Sequence, residues 1–195
     1  SRLMPTAAKV ASTGFMPRHV DNLANIDRSG LWGQALDRAT ARLGTGLLAA
    51  IIGNRGTGKT QLAACLGAAA IGKWGWTRDH ADRSVWPVKY TTAADLFSTL
   101  RGGMLAGQEV KTRRLYTTPR LLVVDEIQER AHSEYEARTL VQIIDHRYGF
   151  RLDTVIMGNL KPEAFREQMG ASVMSRMAEA GGVVELVGED RRAKK

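Results

Sequence analysis

Cysteine occurs once in the 195 residues, proline five times, and aromatic residues make up only 6%. A lone Cys65 excludes an intramolecular disulfide, and a reducing cytoplasm is the simplest setting. Its position among alanines and leucines reads as a small core residue rather than a reactive thiol. No set of His and Cys residues has zinc-site spacing. No apolar run approaches the length of a bilayer span; the longest, Leu47 to Ile52, is strand-sized. The opening residues lack a charged start followed by an apolar block, so no signal peptide is read. The sequence begins at Ser1 rather than Met, as a fragment or a tag remnant would, and a further N-terminal domain could precede it. Internal repeats and low-complexity blocks are lacking too.

Basic charge, by contrast, is in excess. The formal net charge is +8. Bases outnumber acids before Leu121 and again in the last five residues, whereas residues 121 to 190 are acidic on balance. An uneven basic surface of this kind suits a nucleic-acid partner. A chain of this length is long enough for one sizeable core.

Gly53-Asn54-Arg55-Gly56-Thr57-Gly58-Lys59-Thr60 fits the pattern G-x-x-x-x-G-K-[ST] at every fixed position. It follows the apolar run Leu47 to Ile52 and opens a helical segment, Gln61 to Ile71. Glycines let such a loop turn its backbone N–H groups inward on a phosphate, and the helix start adds positive field. Lys59 has the reach for the β- and γ-phosphates, and the Thr60 hydroxyl can ligate Mg²⁺. Gln61, next in line, is counted with the nucleotide-binding residues.

Around this loop, strands and helices alternate. Residues 1 to 18 read as a loosely ordered, flexible segment, and Val20 to Ile26 as a short apolar-anchored stretch. Ser29 caps a helix from Gly30 to about Leu43. After the loop helix come a polar connection, Gly72 to Ser84, a strand, Val85 to Thr91, and a helix, Ala93 to Leu100. Gly102, Gly103 and Gly107 break the pattern before a basic helix, Glu109 to Tyr116. Leu121 to Val124 reads as a central parallel strand. Ser133 starts a helix ending near Tyr148, with Glu136 in the capping-box position. Thr154 to Met157 is the next strand, Lys161 to Gln168 and Ser172 to Ala180 are short helices, and Gly182 to Val187 is the last strand. The alternation predicts an α/β fold with a mainly parallel sheet. Residues 19 to 188 form the domain and 189 to 195 a basic tail.

Three further signals fit the phosphate loop. Leu121-Leu122-Val123-Val124-Asp125-Glu126 brings two carboxylates to the carboxyl edge of the sheet, where ligands bind in open α/β folds. There Asp125 would hold Mg²⁺ through its water shell beside Thr60, and Glu126 would polarise the attacking water. Asn159, at the tip of the strand after Asp125, can contact the γ-phosphate or orient that water. Arg176, in Ser175-Arg176, can enter a neighbour's ATP site if subunits stack head to tail.

Together these parts resemble the AAA+ ATPases and, within them, the DnaC/IstB type: bacterial and phage helicase loaders and transposition helper ATPases. Gly14-Phe15-Met16-Pro17-Arg18, Ile143-Ile144-Asp145-His146-Arg147-Tyr148 and Thr154-Val155-Ile156-Met157-Gly158-Asn159-Leu160 resemble further segments of that group. The resemblance covers residues 14 to 188. It implies a five-stranded parallel sheet in the order 5-1-4-3-2 without a full helical lid. It also implies ATP-dependent assembly into rings or helical filaments, and single-stranded DNA along Ala93 to Arg120, with Lys111, Arg113 and Arg114 as phosphate contacts. Arg191 and Arg192 could stand in for the arginine sensor of the absent lid, but nothing in the spacing demands it. The function it implies is Mg²⁺-dependent ATP hydrolysis in the loading of a hexameric replicative helicase. The runner-up is an IstB-like ATPase assisting a transposase on duplex DNA. A small-molecule P-loop kinase and a nucleotide switch with little turnover are the readings from other classes.

Overall fold

The computed structural model describes residues 5–21, 23–75, 86–130 and 133–188. Five parallel strands form one sheet: β1 (Leu48–Ile52), β2 (Val88–Thr92), β3 (Leu121–Asp125), β4 (Asp153–Gly158) and β5 (Gly181–Glu185). Their order is β2-β3-β4-β1-β5, the expected arrangement read from the opposite edge. β1 and β3 are buried along their whole length, which is why they read as unbroken apolar runs rather than as alternating ones. Register pairs Leu48 with Thr154 and Gly181, and Leu121 with Val88 and Asp153. All five carboxyl ends therefore share one edge.

Helices cover both faces. Ala49, Ile51, Val123, Val155 and Met157 point into one core with α3 (Gly30–Ala41) and α4 (Lys59–Trp74). Ala50, Ile52, Leu122, Val124 and Ile156 point into the other, against α5 (Ala93–Leu105), α7 (Glu134–Gly149) and α8 (Pro162–Ala180). This division follows from the two-residue period of a strand. α6 (Glu109–Thr117) lies outside, packed on α5 and α7.

The structure departs from expectation at several points. The segment read as loosely ordered contains α1 (Ala7–Ala11) and the start of α2 (Pro17–Val20), and it buries Val10, Thr13 and Phe15. Phe15 fits because Gly67 of α4 leaves space; a Cβ there would stand 2.9 Å from Cε2 of the ring. Ser29 makes no side-chain cap; its own N–H donates to Asp27 Oδ1 at 2.9 Å. α5 runs through Gly102 and Gly103 because Gly103 accommodates Thr112 of α6, where any Cβ would collide. The two short helices expected after β4 are present: α8 is two helical segments joined at a kink, where Gly170 is non-helical with φ 77° and ψ 161°. Ser133 does cap α7, accepting the Glu136 N–H at 3.2 Å, while the Glu136 carboxylate pairs with Arg101 at 2.6 Å. Val85, most of the Gly72 to Ser84 connection and the tail with Arg191 and Arg192 lie outside the described residues.

Arg147 fastens the amino edge of the sheet. It is fully buried and donates to Thr154 Oγ1 (2.8 Å) and to the carbonyls of Tyr116 (3.0 Å), Pro119 (2.9 Å) and Asp153 (2.5 Å). The Asp153 carboxylate in turn accepts the N–H groups of Gly44, Gly46 and Leu47, fixing the turn into β1. Burial pushes the guanidinium down to about 9 and the Asp153 carboxyl up, so desolvation outweighs attraction between the two charges.

Candidate nucleotide site

β1 leads straight into the glycine loop. Gly53, Gly56 and Gly58 have φ of 136°, 82° and 86°, a region that side chains disfavour. Gly53 also passes so close to the Leu186 carbonyl that a Cβ would overlap it. Lys59 begins α4 and curls back over the loop, donating from Nζ to the carbonyls of Gly53 (2.8 Å) and Asn54 (2.7 Å). Thr57 Oγ1 bonds to the same Asn54 carbonyl at 3.0 Å. The buried Trp32 indole on α3 donates to the Gly58 carbonyl at 3.0 Å, tying the loop to the neighbouring helix. Gln61, in the first turn of α4, donates to the His19 carbonyl at 2.6 Å.

β3 brings Asp125 to the same edge. Thr60 Oγ1 donates to Asp125 Oδ2 at 2.9 Å, joining the loop helix to the strand end across 65 positions of sequence. Tyr90 OH donates to the same oxygen at 2.9 Å, and the Glu126 N–H donates to Oδ1 at 2.7 Å. Glu126 is exposed and adopts the left-handed conformation with φ 53°, which costs a non-glycine residue of order 1–3 kcal/mol. Its carboxyl is raised above the ordinary range, first by desolvation and then by the adjacent Asp125 charge.

β4 contributes Asn159, whose N–H donates to Gln128 Oε1 at 2.9 Å. Gln128 belongs to a short turn, Ile127–Glu129, that packs against Gly158; a Cβ on Gly158 would stand 2.7 Å from Ile127 Cγ2. The structure thus gathers the 53–60 loop, Asp125, Glu126 and Asn159 at one edge. Tyr90, Trp32 and Gln128 are site residues that sequence reasoning missed. None of the three left a signal in the sequence: Tyr90 lies diagonal to Asp125 only once the register sets it opposite Val123.

The oxygens of Thr60 and Asp125 suit a hard cation such as Mg²⁺, which uses few protein ligands and completes its shell with water and phosphate. Among the described residues there is no cluster of three or more His, Cys, Asp or Glu side chains able to hold a metal alone.

The sequence of residues 47–195 matches the IstB-like ATP binding protein family. The chain belongs to that family. Among relatives, it is 28% identical to the replicative helicase loader DnaC of Buchnera aphidicola subsp. Acyrthosiphon pisum, over 64% of this chain and 48% of that protein. It is also 28% identical to the insertion sequence IS232 ATP-binding protein of Bacillus thuringiensis subsp. berliner, over 73% of this chain and 54% of the relative. The chain spans about half the length of these relatives. The crystal structure of the DnaC helicase loader overlays with a TM-score of 0.70, covering 87% of this chain and 99% of that one at 21% identity. The fold is that of a P-loop AAA+ domain.

Within this IstB-like domain, Arg176 stands apart from the loop. It lies five residues before β5, whose first residue pairs with the first residue of β1, and so near the amino edge. Its Nη1 meets Asp145 Oδ1 at 2.8 Å and Ser172 Oγ at 2.6 Å, and its guanidinium carbon sits 5.7 Å from the Tyr148 ring centroid. On α6, Lys111 and Arg114 are exposed, whereas Arg113 is half-buried and engaged with Glu109 (3.2 Å) and Gln142 (2.9 Å). Cys65 is buried in α4, and burial pushes its thiol up, as suits a core residue. No helix among the described residues is long and apolar enough to cross a membrane.

Proposed function

We propose that this IstB-like domain binds and hydrolyses ATP with Mg²⁺, assembles on single-stranded DNA with ATP, and serves in loading a hexameric replicative helicase. The observation that carries the ATPase reading is the Thr60–Asp125 hydrogen bond, with Glu126 beside it and the glycine loop around it. In this reading Lys59 exchanges the Gly53 and Asn54 carbonyls for β- and γ-phosphate oxygens, and the loop N–H groups enclose the phosphates. Thr60 and Asp125 hold Mg²⁺, which when bound neutralises charge on the β- and γ-phosphates. Glu126 polarises the attacking water, and Asn159 orients it against the γ-phosphate. Arg176 serves the site of the next subunit, because its own site is at the far edge of the sheet. Lys111 and Arg114 take DNA phosphates, with Arg113 the weaker contact because it is already paired.

A second reading, a helper ATPase acting with a transposase on duplex DNA, draws on the family description and on the insertion-sequence relative. ATP turnover measured against protein concentration, with no DNA, single-stranded DNA or duplex, tests both. Turnover per subunit that climbs with concentration and with single strands fits loading. Stimulation by duplex alone fits the second reading. Turnover indifferent to both variables overturns the shared site and favours a self-contained kinase-like enzyme.

A further inference from the structure

Asp125 is held by more than the loop threonine. Its Oδ2 accepts two hydrogen bonds of 2.9 Å, from Thr60 Oγ1 and Tyr90 OH, and its Oδ1 accepts the Glu126 N–H at 2.7 Å. Three donors from α4, β2 and the end of β3 fix the tilt of one carboxylate. Tyr90 is itself held from the other side. Its ring packs on that of Phe15, tilted by 33° with centroids 4.3 Å apart, and its N–H donates to the Thr13 carbonyl at 2.9 Å. Gly14 lies so close to the Tyr90 carbonyl that a Cβ would overlap it. The segment from Thr13 to Phe15 therefore clamps the β2 edge at the residue that reaches Asp125. The same segment continues to His19, whose carbonyl holds Gln61 of the loop helix at 2.6 Å.

We infer that Tyr90 is a positioning residue for the metal site: its hydroxyl, braced by the Phe15 ring, sets the orientation in which Asp125 meets the hydrated Mg²⁺. The chemical reason lies in the ion. Mg²⁺ demands near-ideal octahedral geometry and tolerates little displacement of the groups around it. Outer partners of metal-site carboxylates accordingly contribute strongly to affinity. Without the Tyr90 hydroxyl, Thr60 is left to hold Oδ2, and Thr60 is itself claimed by the metal. This inference rests on the proposal that Thr60 and Asp125 hold Mg²⁺.

The test is the Mg²⁺ dependence of binding of a fluorescent, non-hydrolysable ATP analogue, titrated with MgCl₂, for wild type, Tyr90→Phe and Thr60→Ala. Tyr90→Phe keeps the ring and its packing on Phe15. It should raise the Mg²⁺ half-saturation point about tenfold, while the affinity in EDTA and the unfolding temperature stay at wild-type values. An unchanged Mg²⁺ curve for Tyr90→Phe, beside a weakened one for Thr60→Ala, overturns the role of Tyr90 alone. Equal weakening of Tyr90→Phe with and without Mg²⁺ also overturns it, because that marks a general packing role. An unchanged curve for Thr60→Ala overturns the metal reading of the site, and the inference with it.

Discussion

Arg176 and Asp145 form an ion pair of 2.8 Å at the amino edge of the sheet, while the phosphate loop lies at the carboxyl edge. A five-residue strand separates those edges by roughly 16 Å. An arginine held there by Asp145 and Ser172 lies at the opposite edge from its own chain's loop, which is why the proposed function assigns it to another subunit.

Arg176→Ala should therefore bind ATP with wild-type affinity and lose turnover by about 10³-fold or more, as expected for an arginine acting in trans. Mixing it with Lys59→Ala subunits should restore part of the activity, since each supplies what the other lacks. Turnover of Arg176→Ala at the wild-type rate would falsify the trans-acting role.

Lys59→Ala removes the ammonium from a loop that it otherwise bridges through two carbonyls. Nucleotide binding should fall below detection in a fluorescent-analogue titration, with the fold retained by circular dichroism. Binding at wild-type strength would remove the 53–60 loop from the site.

Glu126→Gln should keep ATP binding and trap the assembled state, with turnover reduced by about 10²-fold or more for loss of the base. The pH dependence has a defined sign. The base acts as a carboxylate, and its protonation is favoured by desolvation and by Asp125. Turnover should thus fall as pH drops, with a midpoint above the ordinary glutamate value of about 4.3. An acid limb unchanged in Glu126→Asp and centred below that value would count against Glu126 as the base.

Lys111→Ala and Arg114→Ala should each lower the salt dependence of single-stranded DNA binding by about one phosphate contact. Arg113→Ala should change it less, since its guanidinium already serves Glu109 and Gln142. The readout is anisotropy of a labelled oligonucleotide across a salt series. Equal effects from all three would mean that the intramolecular pairs of Arg113 open on binding.

Arg147→Ala should destabilise the fold by about 3–5 kcal/mol, because it strips three carbonyls and Thr154 of a buried donor. Thermal unfolding would register this as a large fall in Tm. A shift within a degree or two would show that water or neighbouring groups replace the guanidinium.

Much of the nucleotide site was legible because its chemistry is local in sequence. Eight consecutive residues, Gly53 to Thr60, carry the loop, its positive-φ glycines and its lysine. Asp125 and Glu126 announce themselves by ending an apolar run. The fold class was legible for the same reason: β1, β3 and β4 read as buried runs separated by amphipathic helices. The N-terminal segment was not, since small and polar residues gave no period; only the space over Gly67 shows why Phe15 folds inward. The glycines at 102 and 103 misled in the same way, because the partner that makes Gly103 favourable, Thr112, lies on another helix.

Residue type at short spacing is enough to specify the phosphate loop, the acidic strand end and the parallel α/β alternation. It took the three-dimensional packing to show that Tyr90 reaches Asp125, that Trp32 holds Gly58, that Arg113 meets Gln142 and that Arg176 sits at the opposite edge from its own loop. Those relationships depend on strand order and packing, which bring together groups 26 to 35 positions apart in the chain, or set them at opposite edges of one sheet.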